Sequence, residues 1–215
     1  MYEWDGSSWN QLGDDIEGEA ANDYSGYSVS LSNDGTRVAI GAPYNDGING
    51  TNTDSGHVRV YDWNGTLWNQ LGIDIDGESG GDNFGYSVSL SGDGTIVAIG
   101  ALFNDGANGF FSGHARVYHW NDTLWVQLGS DIDGEAANDQ SGISVSLSDD
   151  GTIVAIGAWK NDGINGTNTD SGHVRVYEWN GTSWVQLGSD IDGEAVGDQS
   201  GISVSLSDDG TIVAI

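Results

Sequence analysis

Four carboxylates fall within nine residues at Asp131, Asp133, Glu135 and Asp139, with Gly134 between the second and third. The pattern returns as Asp74, Asp76, Glu78 and Asp82, and again as Asp190, Asp192, Glu194 and Asp198. A first copy reads Asp15, Glu17, Glu19 and Asp23. Acids at alternate positions beside a glycine are part of what calcium requires, since that ion takes about six to eight oxygen ligands. The twelve-residue order of an EF-hand is absent. The twelve acids of the three later copies are the candidate metal ligands, with calcium as the ion. The alternative is a solvated turn whose Asp side chains accept backbone amides.

A second loop type runs from Asn45 to Asp54 and returns from Asn161 to Asp170; the middle copy, Asn104 to Phe111, is shorter and ends in Phe110-Phe111. Asn, Asp and Gly tolerate left-handed backbone, which makes an ordinary ornate loop one reading. Amides and carboxylates beside aromatics also suit a sugar or a peptide. Tyr44, Phe103 and Trp159 read as equivalent positions before the three loops. They vary while the framework does not, as a ligand surface on a fixed scaffold would. With Phe110 and Phe111 they are the candidate ligand-binding residues. Packing between repeats is the alternative for all of them.

His57, His114 and His173 each stand two residues before Arg59, Arg116 and Arg175. Residues two apart on a strand share a face. One His per unit is short of a metal site, so the pairs are expected to be polar ties, each Arg bonding an acidic-loop carboxylate. Tryptophans pair as Trp4 and Trp9, Trp63 and Trp68, Trp120 and Trp125, and Trp179 and Trp184. Their recurrence points to hairpin packing, and Trp159 stands outside the pairs. Sequons at Asn49, Asn64, Asn121, Asn165 and Asn180 are also what hairpin turns look like. No nucleophile elbow, phosphate loop or zinc motif occurs, and no carboxylate pair is set apart by its surroundings as an acid and a base.

These residues ride on a repeat. Gly-Tyr-Ser-Val-Ser-Leu-Ser begins at Gly26 and Gly85, and its Gly-Ile variant at Gly142 and Gly201, at intervals of 59, 57 and 59 residues. In the third unit, Ile143 to Ser148 alternates as a strand A, Asp149-Asp150-Gly151 is a hairpin turn, and Thr152 to Ala158 is a continuous apolar strand B. Gly172 to Trp179 is strand C, Asn180-Gly181 a turn, and Ser183 to Leu187 a short strand D. Four antiparallel strands per unit make a β-propeller blade. In such a meander the long B–C and D–A loops collect on one face.

The expected fold is thus an all-β, single-domain propeller over residues 1–215. Its repeats span approximately 26–84, 85–141 and 142–200, with 201–215 and 1–25 joined as a split fourth blade. The rivals are a fragment of a larger propeller, or a ring shared between chains as an oligomer. Both ends read as cut from a longer reading frame, and no signal peptide or apolar spanning run is visible. The net charge of −28 repels phosphate backbones and anionic membranes. Nucleic acid and membrane insertion are therefore not expected. There is no Cys for a disulfide or thiolate site.

Phe84-Gly85-Tyr86-Ser87, Val97-Ala98-Ile99-Gly100-Ala101 and Gly41-Ala42-Pro43 resemble the FG-GAP repeat family of integrin-α-like propellers, over nearly the whole chain. The resemblance implies a propeller, a secreted or cell-surface location, adhesion or ligand binding, and often calcium. Two features depart from it. Ser25, Ser141 and Ser200 replace the phenylalanine elsewhere, and the family's calcium loop between strands A and B is here a short turn. Many members have seven blades, against the four counted here. The function expected is a non-enzymatic extracellular binding or adhesion module with a protein or glycan ligand. The alternatives are a structural scaffold within a larger surface protein, and a carbohydrate-active enzyme.

Overall fold

The alternating Ser-Val-Ser-Leu motif is extended in the first three repeats because its two faces meet different partners. The computed structural model describes residues 1–47, 50–163 and 166–215, so the sequons at Asn49 and Asn165 lie outside the described residues. Tyr2–Trp4 (β1) and Trp9–Gln11 (β2) form a hairpin. Ser28–Leu31 (β3), Arg37–Ala42 (β4), His57–Trp63 (β5) and Trp68–Gln70 (β6) then pair in antiparallel order. Ile75–Asp76 (β7) joins the same edge of β5 further along, with Val58 opposite Ile75 and His57 opposite Asp76.

The second repeat copies this with Ser87–Leu90 (β8), Ile96–Ala101 (β9), His114–Trp120 (β10), Trp125–Gln127 (β11) and Ile132–Asp133 (β12). The third does so with Ser141–Leu147 (β13), Ile153–Ala158 (β14), His173–Trp179 (β15), Trp184–Gln186 (β16) and Ile191–Asp192 (β17). Ser205–Leu206 (β18) and Val213–Ala214 (β19) close the chain as a hairpin. The four-stranded antiparallel units are present as expected. The acidic segment, however, begins as a continuation of strand D rather than as a free loop. The reason is its middle residue: Ile75 and Ile132 are each buried to 6% exposure, which only strand pairing against the next core achieves.

The core lies between blades. Ala39, Val58, Val60 and Ile75 of the first pack on Leu90, Val97, Ile99 and Tyr118 of the second. Ala98, Ala115, Val117 and Ile132 repeat this against Val145, Leu147, Val154 and Ile156 of the third. The continuous apolar run of strand B is needed because both its faces are covered in this stacking.

The serines of strand A bind across the seams. Ser28, Ser87 and Ser144 Oγ donate to the carbonyls of Gly85, Gly142 and Gly201 at 2.7–2.8 Å. Ser30, Ser89 and Ser146 Oγ accept the amides of Leu90, Leu147 and Leu206. The A–B turns are chained in the same direction. The amides of Asn33, Gly92 and Asp149 donate to the carbonyls of Gly92, Asp149 and Asp208 at 2.7–2.8 Å. Trp68, Trp125 and Trp184 Nε1 donate to Leu12, Leu71 and Leu128 carbonyls, tying each outer edge to the preceding repeat.

The ends do not form one sheet. β1–β2 and β18–β19 are separate two-stranded sheets. Val29 is 63% exposed on the face that its counterparts Val88 and Val145 turn into a core.

Candidate functional site

Strand alternation points His57 and Arg59 to one face of β5, and that face looks across a seam. Glu19, from the acidic segment of the preceding repeat, reaches Arg59 there and lies 3.7 Å from His57 Nδ1. Asp74 comes from the bulge between β6 and β7. It takes Arg59 Nε and Nη2 at 2.9 and 3.2 Å, and also lies 3.7 Å from His57 Nδ1. The second seam assembles Glu78, Arg116, Asp131 and His114 in the same way. The first two His-x-Arg pairs are therefore ties between blades, with Arg59 and Arg116 bonding acidic-segment carboxylates as the sequence leads one to expect.

Electrostatics follow from that arrangement. Burial pushes the Asp131 carboxyl up, but bonds from Arg116 and Gln127 outweigh it and hold it below its ordinary range. Burial also lowers His114 to about 4, with Arg116 adding to the effect and Asp131 and Glu78 opposing it. A histidine depressed in the fold is neutral there while the unfolded chain still takes up a proton. Its contribution is complete above about 6.5 and is lost as the pH falls toward 4. His114→Gln is expected to flatten the fall in melting temperature between pH 7 and pH 5, removing up to about 2 kcal/mol of pH dependence. Equal slopes in parent and variant by calorimetry would refute this.

The third seam keeps the residues and changes the bonding. His173 Nδ1 lies 3.8 Å from Glu135 and 3.9 Å from Asp190. Arg175 Nη2 donates instead to the Asp133 carbonyl at 2.9 Å, and its Nη1 stands 3.6 Å from Glu135. Each of the three clusters, Glu19–His57–Asp74, Glu78–His114–Asp131 and Glu135–His173–Asp190, brings three ligand-type atoms within 4.8 Å of one another and could hold a metal ion.

The four acids of one copy are thus divided among different places. Asp74, Asp131 and Asp190 sit at the histidine of their own blade, and Glu78 and Glu135 cross to the next. Asp82 and Asp139 are buried, accepting Asn104 and Asn161 Nδ2 at 2.9 Å and the amides of Ser79 and Ala136. Asp198 accepts the Ala195 amide, and Glu194 lies at the last acidic segment, beside the open end of the array. Asp76 and Asp133 end the short strands opposite histidines, and Asp192 does the same opposite His173. Burial, then the neighbouring Asp131, raises the Asp133 carboxyl above its ordinary value. Sequence reasoning did not count the histidines among metal ligands. The signal was their fixed place opposite the last acid of each Asp-Ile-Asp.

One cavity, of about 540 Å³, opens between the first acidic segment's successor and the second B–C loop. Its walls include Glu78, Asp105, Asp131 and Asp133 together with Phe103 and Phe111. Twelve residues separate β9 from β10, against fourteen between β4 and β5 and between β14 and β15. Gly106 lies close over its floor, where a Cβ would stand 2.9 Å from both Asp133 Oδ1 and Ser112 Oγ. Phe103 and Phe111 meet edge-on at 5.3 Å, while Phe110 points out at 73% exposure.

Trp159 is not the equivalent of Tyr44 and Phe103. Ala42, Ala101 and Ala158 end their strands in the same register, so Trp159 matches Pro43 and Leu102, and Lys160 takes the place of the two aromatics. The Tyr44, Phe103 and Lys160 amides accordingly donate to the matching Asp23, Asp82 and Asp139 carbonyls. Tyr44 packs on Tyr24 at 5.0 Å. Trp159 Nε1 donates to Gln140 Oε1 at 2.7 Å under the Lys160 ammonium.

The A–B turns do not fit calcium. Asp34, Asp93, Asp150 and Asp209 each spend Oδ1 on a serine hydroxyl and on the amide and hydroxyl of a threonine within the turn. Carboxylates spent inside so short a turn are far from the oxygen set that ion needs.

Among the described residues no helix is long and apolar enough to cross a membrane. No curated protein matches the chain closely enough to count as a relative. The FG-GAP repeat profile matches three times, at residues 17–61, 73–118 and 132–177. Each match begins ahead of a seam glutamate and ends beyond the His-x-Arg of the next blade, so the matched unit spans the glutamate, histidine and arginine of one seam. With well over half its length in three ordered matches, the chain belongs to the FG-GAP repeat family.

Proposed function

We propose that this chain is a non-enzymatic, extracellular binding module of the adhesion class, working through the loop face that carries the acidic segments. The observation that carries the reading is the cavity of about 540 Å³ in the second blade, where carboxylates and phenylalanines share one wall system. The three blades are close copies, but the B–C loop of this one is two residues shorter than in the other two and carries Phe110 and Phe111. An acidic site with aromatic walls suits a protein or glycan partner. Calcium fits its oxygen-only ligands, with Asp82, Asp105 and Asp133 as the lining carboxylates that bond no arginine.

The frame for this reading is a four-bladed ring. β18–β19 supplies strands A and B of the missing blade and β1–β2 supplies C and D. Pairing β19 with β1 would cover Val29 and Leu31 and continue the chain of A–B turn bonds. Two chains sharing one ring would satisfy the same edges.

Thermal unfolding of the full chain in excess calcium, then in chelator at equal ionic strength, tests the site. A saturable stabilisation of about 2–3 kcal/mol is expected at a hundredfold excess over Kd, abolished in Asp133→Asn. A glycan array probed in calcium should lose its hits with Phe111→Ser. No calcium effect and no bound glycan or surface protein would move the reading to a structural scaffold.

A further inference from the structure

We propose that the third seam, Glu135–His173–Asp190, is a site for a divalent transition ion of the zinc class, and that the first two seams hold an arginine in place of that ion. The inference stands apart from the adhesion reading and from calcium in the cavity.

All three seams set two carboxylates against a buried imidazole. In the first and second, Arg59 and Arg116 bond both carboxylates and supply the positive charge between them. In the third, among the described residues, Arg175 makes no bond to Asp190 and turns one nitrogen to the Asp133 carbonyl. Two acids then face a histidine with no cation fully seated among them. His173 is 1% exposed, and both its ring nitrogens lack a hydrogen-bond partner among the described residues. Among the same residues, His57 in the first seam lacks a partner at Nδ1 alone, and His173 lacks one at both nitrogens.

The ligand geometry fits an ion. His173 Nδ1 lies 3.8 Å from Glu135 Oε2 and 3.9 Å from Asp190 Oδ2. Ligands on a zinc tetrahedron with bonds of about 2.0–2.1 Å are about 3.3 Å apart. The two imidazole–carboxylate distances therefore need to close by about half an ångström, and all three ligand atoms already lie within 4.8 Å of one another. Glu135 is 44% exposed and free to swing, and it leaves a path from solvent. Asp190 is held from behind, because Gln186 Nε2 donates to its Oδ1 at 2.7 Å and leaves Oδ2 toward the histidine. Such an outer bond is what orients a metal-binding carboxylate. Imidazole with carboxylates suits zinc, cobalt or manganese, whereas calcium takes oxygen ligands.

The test uses the chelator-stripped full chain with millimolar calcium in the buffer. Cobalt(II) is titrated with visible absorption as readout, and zinc by calorimetry. One equivalent is expected to bind, with Glu135→Gln and Asp190→Asn each weakening it at least tenfold. Both substitutions keep side-chain size at partly exposed positions, so folding is checked by circular dichroism rather than assumed lost. Asp74→Asn, in the arginine-filled first seam, is expected to leave binding unchanged. Absence of binding overturns the proposal, as does affinity unaltered by Glu135→Gln and Asp190→Asn. Displacement by calcium, or extra equivalents lost with Asp74→Asn, also overturns it.

Discussion

Arg116→Met is expected to destabilise the chain by about 3 kcal/mol, seen as a melting temperature lower by roughly 6–12 °C. Arg116 is 4% exposed and holds Asp131 through two bonds while also reaching Glu78 from the neighbouring blade. Methionine keeps most of the aliphatic stem but removes the charge and the guanidinium that stands 5.9 Å from the centre of the Phe84 ring. Two carboxylates are then left facing each other, with Asp133 close behind. The cost sits at the lower end for a broken buried pair because Glu78 is 53% exposed and recovers water. Arg116→Lys keeps the charge and loses the two-pronged bond, so an intermediate loss is expected. Arg175→Met should cost less than Arg116→Met, since Arg175 holds no carboxylate by a close bond. Equal losses at the two arginines, or a loss below about 1 kcal/mol at Arg116, would mean that the seams are held by apolar packing alone.

That contrast between Arg116 and Arg175 marks where the sequence stops being informative. His57-Val58-Arg59-Val60-Tyr61 and His173-Val174-Arg175-Val176-Tyr177 are identical strings, yet Arg59 clamps Asp74 and Arg175 does not clamp Asp190. The difference lies in what covers the seam. Ile75 is 6% exposed under a complete following blade, whereas Ile191 is 40% exposed beside the terminal hairpin. No local pattern encodes that. The strands themselves were legible, because alternation in strand A and the unbroken apolar run in strand B each reflect which faces are covered. The continuation of strand D was not, since the bulge from Leu71 to Asp74 breaks the alternation before Ile75 resumes it. Nor was the division of the acids. Asp74 and Glu78 are four residues apart in the chain, but they serve seams on opposite sides of one blade. Trp159 falls out of step with Tyr44 and Phe103 because equivalence is fixed by the strand ends at Ala42, Ala101 and Ala158.

Gly100→Ala is expected to cost more than any surface change, on the order of 4 kcal/mol. A Cβ at Gly100 would be driven into the carbonyl oxygen of Gly142 and against Ser87 Oγ, well inside van der Waals contact. Its φ is ordinary, so the demand for glycine here is purely one of space. The collision falls on backbone from the next blade, which has no rotamer to give. Overpacking of that kind costs about 3 kcal/mol, and displacing the Ser87 hydroxyl from Gly142 removes a bond of 2.8 Å worth about 1 kcal/mol more. Ser87→Ala isolates the second term and should lose only that. Position in the array sets a further gradient. Gly41 and Gly100 stand at seams between complete blades, while Gly157 meets Gly201 of the terminal hairpin. Repeats that touch only their neighbours share stability through their interfaces. Gly157→Ala should therefore loosen β18–β19 with a smaller global loss, while Gly100→Ala splits the second core. Chemical denaturation of the three alanine variants checks the order. Equal losses at Gly100 and Gly157 would mean that the terminal hairpin is bound as firmly as a full blade and would overturn this gradient.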